Sequence, residues 1–387
     1  MRICYFADGR SIHFHRWIRF FANAGRQMYF ISYQPVTEAQ VKEIEASGAR
    51  YLGAVGPFHV KRFWQTRRDL RWLQTTLKSE RIDVLHCHFL GANAWYAGLS
   101  RFHPLVITIM GGGDVCGPDW RPQGNAARYL TPLALRRADL ITSWSPLMAN
   151  VVRPYCRDTT PIEVVHGGID LQIFCPGDRP QYLFDRWNIP SSTRVIFSPR
   201  LMRPLSNLQE IAEAFIKVVA VVPDCFLLFA YPVYAADAEY EARVRETITQ
   251  SPVADRVHFV GAIPHHEMAD HYRSANVTIS IPSTDGTPMS VLESMACGTP
   301  TVVGDIPDYD RYYFDPDSTV LAVNPNDPHD ISTALLRLLN ESSFVQKLAT
   351  EARLRVEAKG SYEAQMSYMN KLYQDIMSRT APMSKKV

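Results

Sequence analysis

The sequence has no paired-cysteine motif, no long apolar run, no low-complexity block and almost no net charge. Its seven cysteines, at 4, 87, 116, 156, 175, 225 and 297, are odd in number and scattered, with no Cys-x-x-Cys. That pattern argues against a disulfide framework and fits buried thiols in a reducing compartment. No apolar run approaches the roughly 18 residues needed to cross a bilayer. The opening Met1-Arg-Ile-Cys-Tyr-Phe-Ala-Asp-Gly9 is a strand running into a turn, too short and polar for a signal peptide. A cytoplasmic protein is expected. A formal charge of +2 gives no sign of a nucleic-acid partner. Gly9-Arg10-Ser11 follows the first strand and its backbone can approach a phosphate, but it is not G-x-G-x-x-G, which argues against a dinucleotide site.

What is present is regular alternation. Strand-like runs fall near Ile3–Ala7, Gln27–Ser32, Asp83–His86, Leu105–Ile109, Asp139–Ser143 and Ile162–Val165. A second set lies near Val195–Ser198, Phe226–Ala230, Val257–Val260, Val277–Ile281, Thr301–Val303 and Val320–Val323. Helical stretches separate them, so the fold class is α/β, with parallel sheets carrying helices on both faces. The 387 residues suffice for two domains. Gly167–Ser192, with several Gly, Pro, Asp and Ser residues, is the natural break. The expectation is a Rossmann-like domain over 1–175, a second over 190–361, the two doubly wound halves facing across a cleft, and a last helix in 362–387.

Residues 276–304 organise the second half. Val277–Ile281 reads as a buried strand and Ser283–Gly286 as its turn. Thr287 reads as an N-cap, Pro288 as the first helical position, and Gly298 as a C-cap. The loop therefore sits at the carboxyl end of a strand, where open parallel sheets bind ligands. The amides of Met289, Ser290 and Val291 would lack intrahelical partners and suit an anion such as phosphate. A helix side chain leans toward its N-terminus, so Glu293 can reach the same spot as Asp285. Two carboxylates there are good acceptors for sugar hydroxyls.

Asp285-x7-Glu293, continued by Ser-Met-Ala-Cys-Gly-Thr-Pro, resembles the E-x7-E segment of the family 4 glycosyltransferases, which are retaining, nucleotide-sugar-dependent enzymes of the GT-B fold. Other stretches are similar to family elements: Ile82-Asp-Val-Leu-His-Cys-His-Phe89, Val164-Val-His-Gly-Gly-Ile-Asp-Leu-Gln-Ile-Phe-Cys-Pro176, Phe197-Ser-Pro-Arg-Leu201 and Arg256-Val-His-Phe-Val-Gly261. The resemblance implies that the last helix crosses back to the first domain. It implies that Arg200 clamps the donor diphosphate, a task suited to a permanently charged fork. The family's following Lys is absent, Leu205 and Ser206 standing near its place, and Arg203 is the substitute cation. Asp285 would hold a donor-sugar hydroxyl one methylene short of the usual Glu, and Glu293 the ribose. Gly286, Thr287, Pro288, Met289 and Ser290 would line the donor, as would Gly9 and Ser11. Val260 and Ile263 would flank the base. Gly111, Gly112, Gly113 and Asp114 replace a His-Gly-Ser-Asp and, with His88, would border sugar or acceptor.

Other features point less far. His86 and His88 share a strand face, as would His13 and His15 if extended, but no carboxylate or cysteine set completes a metal site. Neither a metal nor a cofactor is expected, the nucleotide sugar being a co-substrate. Asp308-Tyr-Asp310, in a loop, reads as solvated. From Lys61 to Arg81 seven Lys/Arg stand against Asp69 and Glu80, with Phe63, Trp64, Trp72 and Leu73 interleaved. Such a helix either lies on anionic lipid, at the inner face of a membrane, or packs its aromatics inward. The reading is a glycosyltransferase moving sugar from a nucleotide-diphosphate donor to the hydroxyl of a glycan or lipid-linked acceptor. The alternatives are a nucleotide-sugar 2-epimerase of the same architecture and a non-catalytic sugar-nucleotide-binding protein.

Overall fold

A computed structural model describes residues 1–10, 13–110, 115 and 120–380. Ser11, Gly111, Gly112, Gly113 and Asp114 lie outside the described residues. The chain divides into two compact units: Met1–Gly167 with the segment from Ala364 onward, and Gly168–Glu363.

The first unit is built on seven parallel strands, β1 (Arg2–Ala7), β2 (Gln27–Tyr33), β3 (Ala49–Val55), β4 (Val84–His88), β5 (Leu105–Ile109), β6 (Leu140–Ser143) and β7 (Ile162–Val164). Their order is β3-β2-β1-β4-β5-β6-β7. Strand β3 has no counterpart in the sequence reading. It is an edge strand, half-buried, begins Ala-Arg, and carries Gly53 at φ +130° where the register with β2 slips. A bulged, charged edge strand shows no continuous apolar run.

One face of this sheet, through Cys4, Phe6, Leu85, Cys87, Ile107 and Ile141, packs into a hydrophobic core with Leu73, Leu77 and Tyr96. The other face carries a buried polar chain. His86 is bonded through Nδ1 to the Tyr373 hydroxyl and through Nε2 to Thr108 Oγ1 at 2.5 Å. Thr108 bonds Thr142 at 2.6 Å, and Tyr373 bonds the Tyr5 hydroxyl at 3.0 Å. Tyr373 belongs to the last helix, Tyr362–Thr380, which also gives Asn370 to Arg26 and Tyr368 to Glu163. The segment from His13 is helical, so His13 and His15 do not share a strand face.

The second unit holds six parallel strands, β8 (Arg194–Ser198), β9 (Cys225–Ala230), β10 (Val257–Gly261), β11 (Val277–Ser280), β12 (Thr301–Gly304) and β13 (Leu321–Val323), ordered β10-β9-β8-β11-β12-β13. Two cores cover its faces, one around Ile211, Phe215 and Leu335, the other around Phe184, Tyr272 and Leu292. The strand order reverses between β8 and β11, and the ends of those strands form the crevice where doubly wound sheets take ligands.

Candidate functional site

The helix Met289–Ala296 starts beside that crevice. Its length is set at the far end by Gly298, which adopts φ +76°. Gly298 N–H donates to Met295 O at 3.1 Å and Thr299 N–H to Ser294 O at 3.0 Å, a Schellman closure. Ser294 Oγ donates to Thr278 Oγ1 at 2.8 Å and so seats the helix on β11. At the near end the cap differs from expectation. Pro288, not Thr287, is the N-cap residue, and it makes no side-chain cap bond. Proline fixes its own φ, and its carbonyl accepts from Val291 N–H at 3.1 Å. Of the three amides expected to be open, the third is thus engaged, and Met289 and Ser290 head the turn.

The loops after β8 and β11 are stitched together. Ser283 N–H donates to Leu205 O at 2.9 Å. Asn207 Nδ2 donates to Ile281 O at 2.8 Å, its backbone at φ 52°. This brings Arg200 to Asp285, with Nη2 2.7 Å from Oδ2, and both side chains are about one-fifth exposed. Asp285 Oδ1 accepts from Gly286 N–H at 2.8 Å. A half-shielded ion pair of this kind is worth more than one at the surface, because water screens it less. Glu293 accepts from the Tyr272 hydroxyl at 3.1 Å. Burial, then the Glu293 carboxylate, raise the Tyr272 phenol well above its ordinary value, so it remains a donor.

Arg203 is placed otherwise. Its Nε donates to Ala235 O at 2.9 Å. Val260 and Ile263 line a hollow of about 280 Å³ with Arg186, Trp187, His258 and His271. Another hollow, of about 720 Å³, is lined by Asn276, Pro300, Arg273 and Arg353, at the amino ends of β11 and β12, away from the ligand edge. In the first unit the Gly9 amide donates to Ser32 Oγ at 3.0 Å, and Arg10 closes onto Asp8. His88 is buried, its ring against Tyr5, Trp17 and His86 at 4.7, 5.2 and 4.5 Å. Among the described residues no group of three or more His, Cys, Asp and Glu could hold a metal.

Asp308 corrects the sequence reading. It is 3 % exposed, not solvated, and its Oδ2 accepts from Thr284 Oγ1 at 2.5 Å. The loop after β12 folds over the loop after β11, which no local pattern reveals. Asn207, Tyr272 and Asp308 were all missed as site residues. Only Asn207 carried a local signal, an Asn able to take a left-handed turn. In the Phe63–Ser79 helix the inward-packing alternative holds for Leu73, which is fully buried, but Phe63 and Trp64 are 65 % and 59 % exposed, beside exposed Val60. Among the described residues no helix is long and apolar enough to cross a membrane.

Residues 7–173 match the family described as Glycosyltransferase Family 4, and residues 181–355 the one described as Glycosyl transferases group 1. Among curated relatives, the N-acetyl-alpha-D-glucosaminyl L-malate synthase of Bacillus anthracis is 21% identical over 77% of this chain and 76% of its own. A D-inositol 3-phosphate glycosyltransferase of Streptosporangium roseum is 26% identical over 72% of this chain and 66% of its own. The chain thus spans about two thirds of that relative. Among solved structures, a Rickettsia africae glycosyltransferase superposes with TM-score 0.83 at 15% identity, over 98% of this chain and 99% of that one. Anabaena HepE, solved with UDP and glucose, gives TM-score 0.79 at 12% identity, over 97% and 100%. At such identities the structural likeness concerns the fold, which is of the GT-B kind.

Proposed function

We infer the reaction from the family to which this chain belongs, the family 4 glycosyltransferases of group 1: retaining transfer of a sugar from a nucleotide-diphosphate donor to an acceptor hydroxyl, in glycan, glycolipid or polysaccharide synthesis. The observation that carries the reading is the Arg200–Asp285 pair at the β8/β11 switch point, beside the start of the helix that bears Glu293.

The division of labour follows from charge. The diphosphate takes the Arg200 guanidinium and the Met289 and Ser290 amides, which favour an anion. Glu293 accepts ribose hydroxyls while Tyr272 holds the carboxylate in place. Asp285, freed as Arg200 turns to phosphate, accepts a sugar hydroxyl. The acceptor oxygen forms the new bond to the anomeric carbon on the face from which the diphosphate leaves, and the departing phosphate oxygen takes the acceptor proton. Arg200 offsets the negative charge that grows on that oxygen. No side-chain base, metal or cofactor enters this scheme. The first unit supplies the acceptor site. The exposed Val60, Phe63 and Trp64 with the neighbouring Lys61, Arg62 and Arg67 give that unit a face suited to anionic lipid, and hence to a lipid-linked acceptor at the inner face of a membrane.

The test is a calorimetric titration of UDP, GDP, ADP and dTDP on wild type and Glu293→Ala. One nucleotide binding the wild type, and at least tenfold weaker binding in the variant, is expected, since hydrogen bonds to a charged group contribute about 1.5–3 kcal/mol. Equal binding would remove Glu293 from the site. A second reading, binding without turnover, has Arg203 in its favour: the substitute cation is held by Ala235 O. Donor consumption with no acceptor present would instead select the epimerase.

A further inference from the structure

Beside the Arg200–Asp285 pair lie three buried oxygens with no hydrogen-bond partner among the described residues: Thr287 Oγ1, Asp308 Oδ1 and Tyr309 OH. Their side chains belong to residues 5 %, 3 % and 4 % exposed. They come from two loops, after β11 and after β12, which Thr284 Oγ1 ties together by donating to Asp308 Oδ2. The Tyr309 ring is fixed against Phe314 at 4.9 Å. Its hydroxyl is raised far above the ordinary tyrosine value by burial first and then by the nearby carboxylates of Asp285 and Asp308, with Arg200 opposing. Thr284 adjoins Asp285 and Tyr309 adjoins Asp308, so the Thr284–Asp308 bond sets Tyr309 beside the loop that carries the ion pair. A buried polar group left without a partner is costly, and three in one corner of a folded protein call for a ligand or ordered water.

The chemistry of the corner says which ligand. Asp308 Oδ1 can only accept, whereas Thr287 and Tyr309 can each donate and accept. With Asp285 adjacent, the corner repels phosphate and invites groups that donate hydrogen bonds. We propose that Asp308 and Tyr309, with Thr287, read the hydroxyls of the donor sugar, while the diphosphate lies toward Arg200 and the start of the Met289–Ala296 helix. This rests on the donor-site reading above. It assigns to the β12 loop sugar discrimination that the Gly111 position, standing where the resembling family has His, leaves without its usual residue.

The test compares each nucleoside diphosphate with its sugar conjugate on the full chain: UDP with UDP-glucose, UDP-galactose and UDP-N-acetylglucosamine, GDP with GDP-mannose, ADP with ADP-glucose. Wild type, Tyr309→Phe and Asp308→Asn are titrated, and their melting temperatures are recorded. Wild type is expected to bind one conjugate more tightly than its bare nucleotide. Both variants should keep the bare nucleotide within about twofold and lose about tenfold on the conjugate, the effect of one or two lost hydrogen bonds. Tyr309→Phe should melt no lower than wild type, because it removes a hydroxyl that the protein alone does not satisfy. Equal losses on nucleotide and conjugate would make the two residues scaffold and overturn the proposal, as would unchanged conjugate binding, the result expected if water fills the corner. A wild type that binds nucleotide and conjugate equally overturns it while leaving the donor site intact. A wild type that binds no nucleotide overturns the donor site itself and this proposal with it.

Discussion

Arg200 faces two demands. In the structure it neutralises Asp285, and in the proposed reaction it must hold phosphate, so the donor has to compete with a carboxylate already in place. Only a planar fork with several donors can keep a carboxylate near while accepting a second anion. Arg200→Lys preserves charge but not the fork, and a tenfold or greater loss of nucleotide affinity is expected, measured by the same titration. At residue scale the buried histidines also set a pH dependence. Burial pushes the His166 imidazole down to about 4, and burial with the neighbouring His88 holds His86 well below its usual value. The unfolded chain protonates both more readily than the folded one. Stability is therefore complete above the ordinary histidine pKa near 6.5 and is lost progressively as pH falls toward the folded values. For His166 alone the loss between pH 7.5 and pH 5 is about 2 kcal/mol. Urea midpoints at the two pH values should show the fall, and His166→Gln should flatten part of it.

The helix Met289–Ala296 illustrates the element scale. Its eight residues are too few to be stable by propensity, so its ends and its seat on β11 define it. Gly298 sits in the left-handed region, and a Cβ there would meet only Pro176, at 3.6 Å. The cost of Gly298→Ala is therefore conformational, about 1–2 kcal/mol. The urea midpoint should fall accordingly, and nucleotide affinity should drop as well, because the same turn fixes the orientation of Glu293. The C-terminal closure was legible in sequence, since Gly after an apolar helical run has one common use. The N-terminal cap was not: Thr287 and Pro288 both fit cap positions, and the choice fell to the loop that buries the Thr287 hydroxyl.

At the scale of the molecule the two units carry different surfaces. The second sets one partly shielded ion pair, Arg200–Asp285, at its strand-edge site. The first exposes Val60, Phe63 and Trp64 beside Lys61, Arg62 and Arg67, an apolar patch poorly suited to water alone. Cosedimentation with vesicles of phosphatidylglycerol and phosphatidylcholine is expected to retain wild type at low salt and to lose Phe63→Ala/Trp64→Ala by about tenfold. Retention should weaken as salt rises, because the arginines contribute through screened attraction. Unaltered pelleting of the double variant would remove these aromatics from any membrane role.

Much of this architecture was determined by the sequence itself. Buried parallel strands read as short, largely apolar runs, and twelve of the thirteen strands among the described residues are legible in the sequence; the exception, β3, is a bulged edge strand half open to solvent. That Arg200 and Asp285 each stand just beyond the carboxyl end of a strand was equally legible, β8 ending at Ser198 and β11 at Ser280. The tertiary structure decided the rest. It set Arg200 on Asp285, Tyr272 on Glu293 and Thr284 on Asp308, over separations of 85, 21 and 24 residues, and it buried Asp308 of an Asp-x-Asp that reads locally as a solvated turn. Periodicity reports which side of a strand or helix faces inward. Which loop closes over which follows from strand order and connection, and those are properties of the whole sheet.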